Sequence, residues 1–418
     1  MVAIGINRGM PLLLTPILTV FLTPKEYGYL GIATIIIGLL RVFIGLNPAL
    51  FVIAKYSLMS KEDLADYLHQ IFLITAITLG IAVVCFLAFL PILEKQYLLD
   101  FISILILCFT AAFTVIEALI LAVIQMEKKA GRFFLFSLFS ALLQIVFVII
   151  TVLALHWGWR GKIIGDLFAS LLSALALMFY LRSKDLLRIH YSMDRLRVFA
   201  KFSMPMLPHS VSLWAMNFID RFFLERYADI STVGVYTVAY NFGLGMSLLY
   251  DALQRTWQPH FYEHIQKEDL YTKAIIVRYT WFYYLGTIIL WAISVFFVNY
   301  IAPFLIGKEF LQAVSYIPLI FLGYTFQGMY RAVASYLYHI NKNSILALIT
   351  LLSAILNIVL DIALISRNGA VGAAQATCLT YLFSLILVQV AVMKLYYMPW
   401  FNFNKIIHER SSHLNVNP

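Results

Sequence analysis

Apolar residues run along this chain in long blocks, and short polar clusters separate them. Crossing a bilayer core takes about 20 apolar residues in a helix. By that measure twelve spans are predicted, at 4–22, 30–53, 69–92, 101–124, 133–155, 163–181, 202–224, 233–256, 276–299, 311–338, 344–365 and 371–397. The expected fold is an all-α polytopic membrane protein. Its longest basic interval, Arg182 to Lys201, falls near the middle and separates two groups of six spans. The expected domains are an N-terminal six-helix bundle at 1–190, a C-terminal one at 191–397 and a cytoplasmic tail at 398–418. The two bundles are expected to surround a central cavity.

The seventh block breaks the apolar pattern. Within Phe202 to Arg226 lie Pro205 and Pro208, then Asn217, then the adjacent charges Asp220 and Arg221. Proline in a span frees backbone groups that only protein or a wet cavity can satisfy. An ionisable side chain at a helix centre costs about 2.5–3.5 kcal/mol on insertion scales, so it turns to the bundle interior or a pathway. A weaker copy stands near the start, where Met10-Pro11-Leu12-Leu13 matches Met204-Pro205-Met206-Leu207 and Pro16 follows. Proline-interrupted spans at corresponding places in two halves point to a transporter's central site. Pro11, Pro16, Pro205 and Pro208 are therefore expected to kink their helices.

Further internal similarity supports two halves. Ser140-Ala141-Leu142-Leu143-Gln144-Ile145-Val146 matches Ser353-Ala354-Ile355-Leu356-Asn357-Ile358-Val359. Tyr27-Gly28-Tyr29 resembles Val233-Gly234-Val235, and Gly161 and Gly165 resemble Gly369 and Gly372. An even number of spans per half makes the repeats parallel.

Two spans carry polar faces. In helix 2, Gly31, Thr34, Gly38, Arg41, Gly45 and Pro48 recur every three or four residues, which places them on one helical face. Small residues alone would serve close helix packing. Arg41 lies near mid-depth, where its planar fork suits a phosphate or a structural ion pair. In helix 10, Tyr324, Gln327, Arg331, Ser335 and Tyr338 share a face and suit a hydroxyl-rich or phosphorylated ligand, or ordinary interhelical bonding. Helix 4 offers Thr110, Thr114 and Glu117. The repeat shift sets Glu117 level with Arg331, so the two are expected to pair as a gate. Asp220 and Arg221 read either as a helix-end ion pair or, with Asn217, as part of a site. Asp166, Asp251 and Asp361 lie nearer span ends and are expected to be caps or solvated.

Composition and charge narrow the class. The chain has 418 residues, 62% hydrophobic and 12% charged. Soluble domains average about 45–50% apolar and about 25% charged. No sizeable soluble domain fits, and nothing resembles a cleavable signal peptide. Lys and Arg favour one set of loops over the other by roughly three to one, which places both termini in the cytoplasm. The net charge of +9 then reflects loops held against an anionic leaflet, not nucleic acid. Cys85, Cys108 and Cys378 sit in apolar runs as core residues. There is no GxxxxGK loop, no HExxH and no metal-like histidine cluster. No cofactor is implied, and the chain is not expected to be an enzyme.

Two stretches carry a family likeness. One is Pro16 to Tyr56, with Leu22-Thr23-Pro24-Lys25-Glu26-Tyr27-Gly28-Tyr29. The other is Lys201 to Tyr262, with Phe202-Ser203-Met204-Pro205, Asp220-Arg221-Phe222-Phe223-Leu224, Val233-Gly234-Val235-Tyr236 and Pro259. In these the chain resembles the Wzx-type oligosaccharide flippases of the multidrug/oligosaccharidyl-lipid/polysaccharide (MOP) exporter superfamily. It departs from them in a short leading segment, since it opens almost inside helix 1. The resemblance implies movement of undecaprenyl-diphosphate-linked sugar units across a bacterial inner membrane, by alternation of two V shapes around a cationic lumen. Substrate contacts are then expected at Arg41, Arg331, Arg221, Asn217, Tyr324, Gln327 and Tyr338. Proton or sodium coupling is open through Glu117 or Asp220. Membrane lipid and the polysaccharide polymerase and chain-length proteins are the expected partners. A cation-coupled multidrug exporter and a lipid II flippase are the alternatives. A glycan polymerase or ligase would show a large outer loop.

Overall fold

The structure is a computed structural model that describes residues 2–188, 190–267 and 269–403, the side chains of 2–4 and 6–8 excepted. The expected tail beyond 403 lies outside the described residues. The chain divides into two compact units, Met1–Thr237 and Val238–Pro418. All regular structure among the described residues is helical.

The first unit contains α1 (Val2–Phe21), α2 (Pro24–Phe43), α3 (Pro48–Lys55), α4 (Lys61–Ala88), α5 (Leu90–Tyr97), α6 (Phe101–Met126), α7 (Ala130–Val148), α8 (Gly158–Arg182), α9 (Met193–Ser203), α10 (Leu207–Phe218) and α11 (Asp220–Tyr227). It ends in the first turns of α12 (Ile230–Ile265), which continues in the second unit. There follow α13 (Leu270–Leu305), a 3₁₀ segment at Lys308–Ser315, α14 (Ile317–His339) and α15 (Asn343–Leu395).

Helix starts follow local chemistry. Thr23 caps α2 and Ser60 caps α4 in reciprocal capping boxes with Glu26 and Asp63, which satisfies otherwise orphaned N–H groups. Among the described residues seven helices are long and apolar enough to cross a membrane, or eight if the 3₁₀ segment and α14, bent by 49°, form one span. The 53 residues of α15 are far more than one crossing needs. Gly369 breaks it at φ +54, a conformation that favours glycine, so its arms match the expected spans at 344–365 and 371–397. The chain is a multi-pass membrane protein. Of the expected spans, those at 202–224 and 233–256 are not among these helices: the first is split into the short helices α10 and α11, and α12 carries polar residues and Pro259.

Burial sorts the helices by solvent. α2 and α6 are 61% buried over their most apolar windows, whereas α4 and α13 are 11% buried. The exposed apolar faces of α4 and α13, with Ile77, Ile81, Val84, Phe296 and Phe304 outward, read as lipid contacts, since an aqueous surface rarely carries such bands. Each unit keeps its own core. One gathers Phe51, Leu68, Leu119, Leu177 and Phe199, and the other gathers Phe261, Val333, Leu337, Val388 and Trp400.

The prolines act in two ways. Pro11 and Pro16 lie inside one continuous helix, where Thr15 donates to the Pro11 carbonyl at 2.7 Å and Thr19 to that of Thr15 at 2.9 Å. Pro205 sits in a 3₁₀ turn, Met204–Met206, between α9 and α10, and Pro208 in the first turn of α10. The expected seventh span is thus interrupted at its start. Its ladder slips again at Ile219, whose carbonyl accepts from Phe222 N–H at 3.1 Å.

Candidate functional site

Helix 2 is not continuous, which corrects the expectation of a single polar face from Gly31 to Pro48. The helix stops at Phe43. Gly45, Leu46 and Asn47 all have positive φ, at 75°, 57° and 58°, and Pro48 then opens α3. Glycine and asparagine tolerate this geometry and Leu46 is carried between them. Proline suits the first helical position. The freed Gly45 N–H donates to Thr78 Oγ1 at 3.1 Å, and a Cβ on Gly45 would lie 2.8 Å from Val115. Asn47 donates to Ser210 at 2.9 Å. The break is therefore held by α4, α6 and α10.

Arg41 lies in the last turn of α2, just before this break, and is exposed. A helix C-terminus favours a cation there. Across from it, Glu117 on α6 hydrogen-bonds with Ser140 and Ser173 and feels the Arg41 charge. Ser140 and Ser173 also bond to each other, joining α7 to α8.

Arg331 has a different counter-ion. Its Nη1 is paired with Asp251 of α12, and its Nη2 donates to Gln327 at 2.8 Å. Gln254 donates to Ser335 at 3.1 Å. Tyr324 is buried between Tyr240 and Tyr381, with ring centroids at 5.8 and 6.0 Å. Tyr338 is exposed. Most of the polar face of α14 is thus applied to α12. Glu117 and Arg331 each have partners within their own unit, and the Glu117–Arg331 gate stays an expectation.

Asp220 and Arg221 are nearly inaccessible, 2% and 3% exposed. Arg221 donates to Asp220 at 3.2 Å and to the Asn217 carbonyl at 2.7 Å, and Tyr236 donates to Asp220 at 2.8 Å. The guanidinium also lies over the rings of Phe218 and Tyr236. Of the two readings left open, the geometry is that of an ion pair. Asn217 donates its side-chain amide to the Leu213 carbonyl, and its own carbonyl accepts from Arg221.

Three carboxylates expected to be caps or solvated are neither. Asp251 neutralises Arg331, Asp166 is bound by Lys162 and Gln144, and Asp361 is wholly buried in α15. Position along a span does not tell which neighbour a side chain meets, and here the neighbours are Arg331, Lys162 and the interior of the second unit. Among the described residues no group of His, Cys, Asp and Glu could hold a metal.

The glycines of α2 meet α12 in a reciprocal crossing. A Cβ on Gly28 would lie 1.9 Å from the Ile230 carbonyl, and a Cβ on Gly234 1.9 Å from the Pro24 carbonyl. Gly28 and Gly234 stand in the similar segments Tyr27-Gly28-Tyr29 and Val233-Gly234-Val235, and the same shift relates Pro24 to Ile230 and Gly31 to Thr237. Gly31 in turn faces Thr237. Each helix therefore offers the other the same surface, backbone against backbone. Further along α2, Gly38 makes room for Trp214 and Phe218, and Trp214 donates to the Ile35 carbonyl at 3.1 Å.

Comparison with known proteins agrees with this architecture. The model of the family described as "Polysaccharide biosynthesis protein" matches residues 1–264. The Lsg locus putative protein 1 of Haemophilus influenzae is 24% identical over 256 residues, covering 58% of this chain and 62% of that protein's length. The lipid II flippase MurJ in an inward closed conformation superposes with a TM-score of 0.75 at 17% identity, over 99% of this chain and 91% of that one. An inward-facing multidrug resistance MATE family transporter of the MOP superfamily gives 0.69 at 12% identity, over 95% and 99%. At those identities the structural likeness establishes the fold, while the family match covers more than half of the sequence. The chain belongs to the polysaccharide biosynthesis protein family.

Proposed function

We propose that this protein is a flippase that carries an undecaprenyl-diphosphate-linked oligosaccharide from the cytoplasmic to the outer leaflet of a bacterial inner membrane by alternating access. The observation that carries this reading is Arg41, an exposed guanidinium at the end of a helix broken inside the apolar layer. Irregular backbone at membrane depth is tolerated where it is buried in protein or lines a cavity. A diphosphate cannot cross hydrocarbon unaided, and a planar, permanently charged donor set is suited to replace its water. An outside-positive potential favours outward movement of an anion by about 2.3 kcal/mol per charge per 100 mV.

Arg331, Gln327 and Tyr338 complete the proposed head-group path, with Arg331 exchanging Asp251 for phosphate. Arg221, Asn217 and Tyr324 act as its framework, since their side chains are engaged or buried in this conformation. Glu117, close to Arg41 and two serines, is the better placed coupling residue for a proton or sodium ion, because Asp220 is committed to Arg221 and Tyr236.

In this proposal the chain makes twelve spans in two parallel halves, 1–190 and 191–397, with a tail at 398–418 and cytoplasmic termini. Matching contacts in the two units support the repeat. Ser140 bonds Ser173 between α7 and α8, and Ser384 donates to Ser353 between the arms of α15 at 2.7 Å. The reciprocal crossing of α2 and α12 then acts as the seal that opens for release. A polymerase and chain-length proteins would receive the product.

Arg41→Ala is expected to abolish surface polysaccharide while the protein still inserts, and Arg41→Lys to retain part of it. Normal polysaccharide from Arg41→Ala at matched expression removes Arg41 from the site. Loss of peptidoglycan synthesis instead would favour the lipid II reading, whose fold is shared.

A further inference from the structure

We propose that a cavity at the common end of α4, α6 and α8 holds the phosphate of an anionic phospholipid from the adjacent leaflet. The cavity measures about 170 Å³, more than ten times the ~10–15 Å³ that a single water requires. Lys61, Lys184 and Tyr56 stand among its walls, and Leu64 and Leu186, 5% and 2% exposed, supply apolar lining. A charged and hydroxylic set beside apolar lining is what an amphiphile's head and first carbons require.

The one carboxylate in the wall is already compensated. Glu127 is paired with Lys129 and accepts from the Tyr180 hydroxyl at 2.7 Å. Burial works to raise its pKa, but Lys129 and Tyr180 hold it below the ordinary carboxylate range. Burial and the nearby Glu127 push the Tyr56 phenol up, which keeps it a hydrogen-bond donor. Lys61 has only a long contact of 4.0 Å with Asp185, both side chains well exposed at 62% and 83%. Such a contact is worth little and yields to a better anion. Arg132, which bonds Tyr180 at 3.4 Å, adds positive potential behind the pair. Basic pockets between spans on the cytoplasmic side are where anionic head groups bind, and this cavity lies at the end of the spans that the Lys and Arg bias assigns to that side.

The test uses the full chain, purified and exchanged into phosphatidylcholine vesicles with and without phosphatidylglycerol, with retained lipid counted by native mass spectrometry. At least one phosphatidylglycerol should stay bound. Its retention should weaken about thirtyfold in Lys61→Gln/Lys184→Gln, for the loss of two lysine–phosphate contacts near the surface. Arg188→Gln/Arg197→Gln, the same charge change outside the cavity, should retain it. Equal loss in both double variants would mean diffuse surface attraction and overturn the proposal. Displacement by millimolar inorganic phosphate would assign the cavity to soluble phosphate and overturn the lipid. Lipid retention is read without transport, so the result is independent of the flippase assignment.

Discussion

Gly28→Val is expected to abolish surface polysaccharide. The Cβ that this substitution adds would stand 1.9 Å from the Ile230 carbonyl oxygen, and a backbone oxygen cannot rotate aside as a side chain can. α2 and α12 would have to separate by more than an ångström to restore ordinary contact. Alternating access requires two well-formed states whose energies differ by only a few kcal/mol. A clash confined to one of them removes it from the cycle without unfolding either helix. Gly234→Val should do the same, because its Cβ would meet the Pro24 carbonyl at an equal 1.9 Å. Gly80→Val and Gly286→Val serve as controls, since a Cβ at either position meets nothing within 4 Å. Polysaccharide would be measured at matched membrane abundance. Wild-type levels from Gly28→Val would show that the crossing is not obligatory.

The second large effect should fall on stability. Arg221→Met leaves the Asp220 carboxyl, 2% exposed, without its counter-ion and supported by Tyr236 and nearby backbone. Breaking a buried ion pair from one side costs about 3–5 kcal/mol, whereas replacing both partners by apolar residues of similar size is often nearly neutral. Arg221→Met should therefore sharply lower the thermal midpoint in detergent, followed by size-exclusion chromatography of heated samples. Asp220→Leu/Arg221→Met should recover most of it. If the double variant is as stable as the native chain yet inactive, the pair serves transport more than folding. If it is no better than the single variant, the pair does more than neutralise itself.

Much of this molecule was legible in its sequence. The apolar blocks announce a membrane protein because hydrocarbon thickness sets their length. Tyr324, Gln327, Arg331 and Ser335 fall on one face because helical periodicity is strict. The likeness of Tyr27-Gly28-Tyr29 to Val233-Gly234-Val235 is legible in the sequence, but the contact between Gly28 and α12 is not. What escaped depended on backbone conformation or on neighbours distant in sequence. Gly45 and Pro48 kept the spacing of a continuous helix, and nothing in the residue type of Leu46 announces a left-handed turn. Asp251 and Asp361 looked peripheral because sequence gives depth along a span but not which way a side chain faces. The sequence leaves Arg221 open between an ion pair and a ligand contact, and what decides for the ion pair is Tyr236, which comes from the next helix to bind Asp220.

The interruption at Ile44–Asn47 has a mechanical corollary. A continuous helix bends only by stretching its own ladder, but here the ladder ends at one residue and restarts a few residues later. Its two lengths, both packed on α6, are joined as by a knuckle, so any change of angle between them is concentrated at Ile44–Asn47. Arg41 stands on the first rod, one turn from the pivot. A small rotation of that rod would re-aim the guanidinium without breaking a single main-chain bond of either piece.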